Sequence, residues 1–317
     1  MAALVMAVFA SCSNEDELSQ SNYPADNVVR IMASMDGMDT RASYGSSTAK
    51  LSSFGFCINN ANSTTYTYDN VKVTKDGDNN WNPASQMLWQ NSTAAVDILA
   101  YAPYQEGNAG IFEKSDYAFS VQADQSNVED YSSDLIVYKQ TGFKPELDLN
   151  INQAVDVSFT HLLSQLNLTI ELRDQFNQDE KNPVTAGFVT DVKVNGTIIN
   201  SKVDFAAASI GVQVDGTQEA TAITPETTEF KAAGKTTDHA AFNYSAIVIP
   251  QTVTAGNFSI SFKVNGTDYI WTSTSDVKFV SGNKHQLSLL VGKDVVQVNG
   301  ITATPWGKEN IIQGETD

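Results

Sequence analysis

Basic residues are scarce in this chain: 19 Lys and Arg stand against 37 Asp and Glu, for a net charge of −18. That balance excludes nucleic acid as a partner, because no basic stripe is present to neutralise phosphates. It also excludes a polybasic grip on anionic lipid. Histidine is rarer still. His161, His239 and His285 are the only three, and none stands at a metal-ligand spacing such as HExxH. There is likewise no CxxC, no GxSxG nucleophile elbow and no glycine-rich phosphate loop. No catalytic residue, metal ligand or cofactor is expected, and the chain does not read as an enzyme. Cysteine occurs twice, at Cys12 and Cys57. Cys57 lies in the apolar run 54–58, where a buried, unreactive thiol is expected. No apolar run reaches the ~20 residues of a membrane-spanning helix. Helical periodicity nowhere persists beyond about two turns.

What the sequence does contain is strand. Short β-branched and aromatic segments bounded by Asn, Asp, Gly or Ser recur from residue 28 onward. They include 28–31, 53–58, 65–74 (about an Asp69-Asn70 turn), 87–89, 96–104, 117–121 and 134–138, with 143–150 as a connector or edge strand. The pattern restarts with the alternating 155–159 and with 161–172, and continues through 188–194, 198–205, 246–250, 258–264, 269–272, 285–291 and 295–304. Asn195-Gly196 and Asn265-Gly266 both predict hairpins, because Asn-Gly supplies the positive φ values of a type I′ turn. Residues 211–235, rich in Thr and Ala, read as a loop excursion. The polar run 75–80 begins like a calcium loop at Asp76, yet Trp81 stands where such a loop needs glycine, so a hairpin turn is the better reading. His161 follows an alternating strand and is expected to be a hydrogen-bonded core or turn histidine. A soft prior of about 150 residues per domain suggests two domains. The class is all-β, most simply two antiparallel sandwiches over 27–152 and 153–317.

The N-terminus has a different character. Residues 1–10 are small and apolar, and Phe9-Ala10-Ser11-Cys12 is followed by the acidic Ser13-Asn14-Glu15-Asp16-Glu17. This is the form of a bacterial lipoprotein signal, with 1–11 removed, Cys12 carrying the lipid and 12–26 a tether to the outer membrane. The only other cysteine would then be Cys57, leaving no intramolecular disulfide. A strand-like piece at 27–35 follows, and then a polar turn holding Arg41. Arg30 lies within the strand, whereas Arg41 sits among Asp36, Gly37, Asp39, Thr40, Ala42, Ser43 and Gly45, the kind of loop that proteases nick.

Several stretches, in this order, resemble the fimbrillins, the type V pilins and related surface lipoproteins of the Bacteroidales. They are the cysteine with its acidic tail; Thr40-Arg41-Ala42 after the first strand; residues 53–58; Trp81 and Trp89 before 96–104; SDLIV at 133–137; FTHLLSQL at 159–166; IVIPQT at 247–252; FVSGN at 279–283; and ITATPW at 301–306. The resemblance implies two transthyretin-like β-sandwich domains in tandem, in a subunit exported as a lipoprotein to the cell surface. It implies further that a trypsin-like protease cuts between Arg41 and Ala42, releasing the anchor and the strand that holds Val28, Val29 and Ile31. A strand of another fimbrial subunit would then fill the vacated slot. Such an exchange is physically reasonable, because an incoming strand regains the ladder while alternate side chains refill the pockets. Residues 295–304, with Val296, Val298 and Ile301, are the candidate donor; the alternative is that this strand closes its own sandwich. A permanently anchored lipoprotein or tip adhesin, binding through Tyr66, Tyr68 or Trp81, is the competing function.

Overall fold

The computed structural model describes residues 22–35, 50–77, 80–177, 183–235, 237–293 and 295–306. Strands dominate, as the alternation requires. In chain order they are β1 (Arg30–Met35), β2 (Ser53–Asn59), β3 (Tyr68–Lys75), β4 (Trp81–Pro83), β5 (Val96–Ala102), β6 (Tyr117–Ser120), β7 (Ile136–Phe143), β8 (Ala154–His161), β9 (Ser164–Leu172) and β10 (Val189–Asn195). There follow β11 (Asn200–Asp204), β12 (Gly211–Val214), β13 (Glu226–Lys231), β14 (Ala240–Val248), β15 (Thr252–Val253), β16 (Ser259–Val264), β17 (Thr267–Thr272), β18 (Val277–Lys278), β19 (Asn283–Val291) and β20 (Val296–Pro305). A single α-helical turn, Pro145–Asp148, stands among the described residues where 143–150 predicts a connector.

The first half forms one seven-stranded sheet in the order β1-β8-β7-β5-β2-β3-β4. Its two ends meet, because Val29 N–H donates to the Met87 carbonyl (2.9 Å) and Trp89 N–H to the Asn27 carbonyl (2.8 Å). Residues 87–89 therefore close the sheet through one bridge, Val28 to Leu88, and not as a full strand. The rolled sheet encloses Phe54, Phe56, Val73, Ile98, Phe143 and Phe159, with Val29, Ile31 and Met35 from β1 and its approach. Central strands such as β2 and β5 are buried on both faces. Their outer side chains, Cys57, Leu99 and Tyr101, join a second core with Tyr117 and Phe205. Ring centroids there lie 5.1–6.3 Å apart. That second core fills the other half, between the five-stranded sheet β13-β14-β9-β19-β20 and the three-stranded sheets β10-β16-β17 and β12-β11-β6.

Tertiary packing overrides the sequence pattern in several places. The sheets are mixed and not wholly antiparallel: β1 runs parallel to β8, and β9 parallel to β19. Both pairs are separated by long stretches of chain, the kind of connection a parallel pair needs. Ala154–His161, read as the opening of the second unit, is hydrogen-bonded into the first sheet. Conversely, β6 pairs with β11 in the second half. Asn265 and Gly266, at φ 48° and 81°, do join β16 to β17 as a two-residue hairpin. Asn195-Gly196 does not join a hairpin. There β10 pairs with β16, β11 pairs with β12 and β6, and the turn carries the chain between sheets. A Cβ on Gly196 would meet the Asn257 carbonyl oxygen at 2.0 Å, so close approach is what that glycine serves. Asn70, expected at a turn, is instead a bulge within β3 at φ 50°. The expected excursion 211–235 holds two strands, β12 and β13.

Candidate strand-exchange site

β1 fits its slot by period two. Val29, Ile31 and Met35 are buried, Ala33 packs against the same core, and Met32 points outward at 43% exposure. Val28, one residue before this alternation, is half-buried. At about 1.5–3 kcal/mol per buried side chain, the three large residues contribute roughly 5–9 kcal/mol gross, an upper figure because the unfolded chain buries some of this surface too. Arg30 lies on the outer face, where its guanidinium pairs with Asp26 at 2.7 Å. The Arg30 hydrogen bond, helped by the Val28 N–H, holds the Asp26 carboxyl down at about 2.

The partner of β1 is unusually dependent on it. Residues Ala154 to Phe159 of β8 pair with Arg30 to Met35 in unbroken register. On its other edge β8 pairs with β7 only through Thr160 and His161. Six of its eight residues therefore have β1 as their sole ladder partner.

β20 presents the opposite balance. It pairs with β19 from Val291↔Val296 to Asn283↔Pro305, with one bulge between Ser288 and Leu289. Of the candidate donor residues, Val296 is half-buried against the second core, whereas Val298 and Ile301 are 38% and 42% exposed. The strand lies at the edge of its sheet. Its chain continues into Trp306, which is buried (8% exposed) and donates its backbone N–H to the Gly282 carbonyl at 2.7 Å.

The Trp306 indole lies flat on the His161 imidazole, with centroids 3.8 Å apart and planes 6° from parallel. Beneath it, His161 Nδ1 sits 3.0 Å from Asp134 Oδ1, both side chains being fully buried. A core histidine at this position is readable from the sequence; its stack on a residue 145 positions away is not. The only signal would have been the tryptophan closing ITATPW, an aromatic too large to leave exposed. His285 is also internal. Its Nε2 accepts the Val280 N–H at 3.1 Å, and burial pushes the imidazole below its ordinary range.

The remaining sequence candidates are placed as follows. Cys12, Arg41 and Ala42 lie outside the described residues. Cys57 is buried, accepts the Asn70 N–H at 3.2 Å, and is pushed up to about 12 by desolvation. The Asp76 carboxylate is occupied by protein donors, namely Asn80 N–H at 2.8 Å and the amides of Asn80 and Asn82. No cluster of three metal-ligating side chains occurs among the described residues. Trp81 is buried and Tyr66 half-buried. The Tyr68 hydroxyl is tied to the Leu88 backbone at 2.8 and 3.2 Å. Trp81 lies in the first core and Tyr68 packs against it, while Tyr66 belongs to neither core.

The profile of the fimbrillin-like family matches residues 40–306. The chain belongs to the fimbrillin-like family. Within that family's fold, three solved structures are similar over nearly all of their length. A candidate cell adhesion protein of Bacteroides ovatus is 12% identical with a TM-score of 0.63, covering 89% of this chain and 99% of its own. One from Bacteroides uniformis is 19% identical at a TM-score of 0.58, with the same coverage of each chain. A fimbrial protein of Bacteroides vulgatus is 15% identical at 0.54, covering 88% and 99%. At these identities the likeness is one of fold. No curated protein matches.

Proposed function

We propose that this fimbrillin-like protein is a structural subunit of a cell-surface fimbria that supports adhesion, assembled by strand exchange after proteolysis. Family membership, and a fold shared with proteins named for fimbriae and cell adhesion, support the subunit role. In this reading Cys12 carries the lipid that delivers the precursor to the outer membrane, and a trypsin-like protease cuts between Arg41 and Ala42. One observation carries the exchange: β1 and the residue before it hold three large side chains in the first core, and β1 is the sole ladder partner of most of β8. Its departure exposes an apolar groove and a row of free backbone groups, which a strand from another subunit satisfies together.

Arg41→Ala is the decisive variant. It should accumulate as a lipidated, unassembled precursor, and high-molecular-weight, heat-labile ladders persisting in it would sink the mechanism. N-terminal sequencing of surface-extracted protein gives an independent answer. A start at Ala42 agrees with release, whereas an acylated Cys12 in assembled material indicates permanent anchoring.

A further inference from the structure

The end of β8, the neighbour of edge strand β1, and the residue that follows edge strand β20 are joined by one aromatic contact. β8, which depends on β1 for Ala154 to Phe159, ends at His161. The ring of His161 is the surface on which Trp306, the residue after β20, lies flat at 3.8 Å. Beyond its ladder to β19 and a side-chain bond from Arg173 to Gln297, few side chains pack β20 down. Val298 and Ile301 are open to solvent, and only Val296 reaches the second core. The Trp306 indole N–H is buried without an acceptor among the described residues, so stacking, not hydrogen bonding, holds the ring. Lys284 Nζ lies over its ring at 5.7 Å.

We infer that Trp306 and His161 form a latch that couples the two edges: β20 is held on its own sheet while β1 fills its slot, and is loosened when β1 leaves. The physical route is short. Without β1, six residues of β8 lose their ladder, and only Thr160 and His161 remain paired, to β7. The chain leading into His161 is then unsupported, its ring keeps only the β7 pairing and the Asp134 contact, and the stack that supplements the Trp306 N–H bond to Gly282 at the end of β20 is loosened. In the exchange mechanism proposed above, on which this assignment of regulation rests, a subunit would free its C-terminal strand only after its own slot has been opened. Trp306 is thus a positioning residue: it takes no part in filling a slot but sets when β20 can move.

Amide hydrogen exchange on the full-length, uncleaved protein tests the latch without requiring any proteolysis. Ile31→Ala, which loosens β1, should raise exchange across 154–159 and also across 296–305, leaving 259–272 unchanged. Ile31→Val serves the same purpose should the alanine variant not fold. Trp306→Ala should raise exchange across 296–305 about tenfold and, because coupling is reciprocal, by a smaller factor across 154–159. Trp306→Phe, which keeps a flat ring, should restore protection. In a Trp306→Ala background, Ile31→Ala should add nothing further at 296–305. Unchanged protection of 296–305 in an Ile31 variant whose 154–159 exchange has risen would overturn the latch, as would Trp306→Ala leaving 296–305 protected. Either result leaves the Arg41 experiment standing, so the two ideas fail separately.

Discussion

β1 and β20 are both edge strands, and they are attached in opposite ways. β1 is short and pairs on one side only but, together with the residue before it, drives Val29, Ile31 and Met35 into a core. β20 has the longer ladder, nine pairs against six, yet exposes Val298 and Ile301 and reaches the core only through Val296 and through Trp306, the residue that follows it. A backbone hydrogen bond exchanged for one to water nets only about 0.5–1.5 kcal/mol, whereas a buried large side chain gives about 1.5–3 kcal/mol. β1 is therefore tightly held by a few side chains, and its loss is felt throughout its sheet. β20 is a ladder anchored only at its ends, by Val296 and by Trp306 just beyond it.

The largest expected effect falls on the β1 side of this contrast. Ile31→Ala should lower the unfolding free energy by about 2–5 kcal/mol, the range for emptying a buried aliphatic site, as read from the urea midpoint. An Ile31→Ala midpoint indistinguishable from the parent's would break the comparison. A smaller effect is expected from acid. His285 lies in β19 opposite Ala303 of β20, with Phe279 edge-on at 5.2 Å, and burial depresses its proton affinity. The unfolded chain binds this proton near pH 6.5 and the native state only at lower pH, so stability is complete above about 6.5 and is lost as pH falls below it. Thermal melts between pH 7.5 and 5 should show a decline that His285→Gln flattens; an equal decline in both proteins would remove His285 as the cause. The smallest change is expected on the open face of β20, where Ile301→Ala should stay within about 0.5 kcal/mol. A cost above 2 kcal/mol there would mean that β20 is packed as β1 is.

How far these features were legible in the sequence depends on whether they are local. Alternation in 155–159 and 285–291 marks strands and their buried faces, because side chains on a pleat alternate whatever the partner. Asn265-Gly266 names its own hairpin, since both residues adopt the positive φ the turn demands. The same dipeptide at 195–196 misleads, for a dipeptide sets a local bend but not which strand lies alongside. Period two in β8 likewise reveals an inward face without revealing that the face belongs to the first core. The exposed side chains of Val298 and Ile301 were indistinguishable in sequence from buried ones, because exposure depends on whether another layer covers them.

By itself the sequence determined the class: an all-β chain, acidic, poor in histidine and cysteine, whose ordered motifs match one surface-protein family. Those properties follow from composition and short-range geometry, which travel with the chain. Only the tertiary structure decided that β1 is the chief partner of β8, that β8 belongs to the first sheet, and that Trp306 closes over His161 and Asp134. Each of these joins residues more than a hundred positions apart or a strand to its neighbour, and pairing at that range is fixed by which faces bury each other. No window of sequence contains both faces.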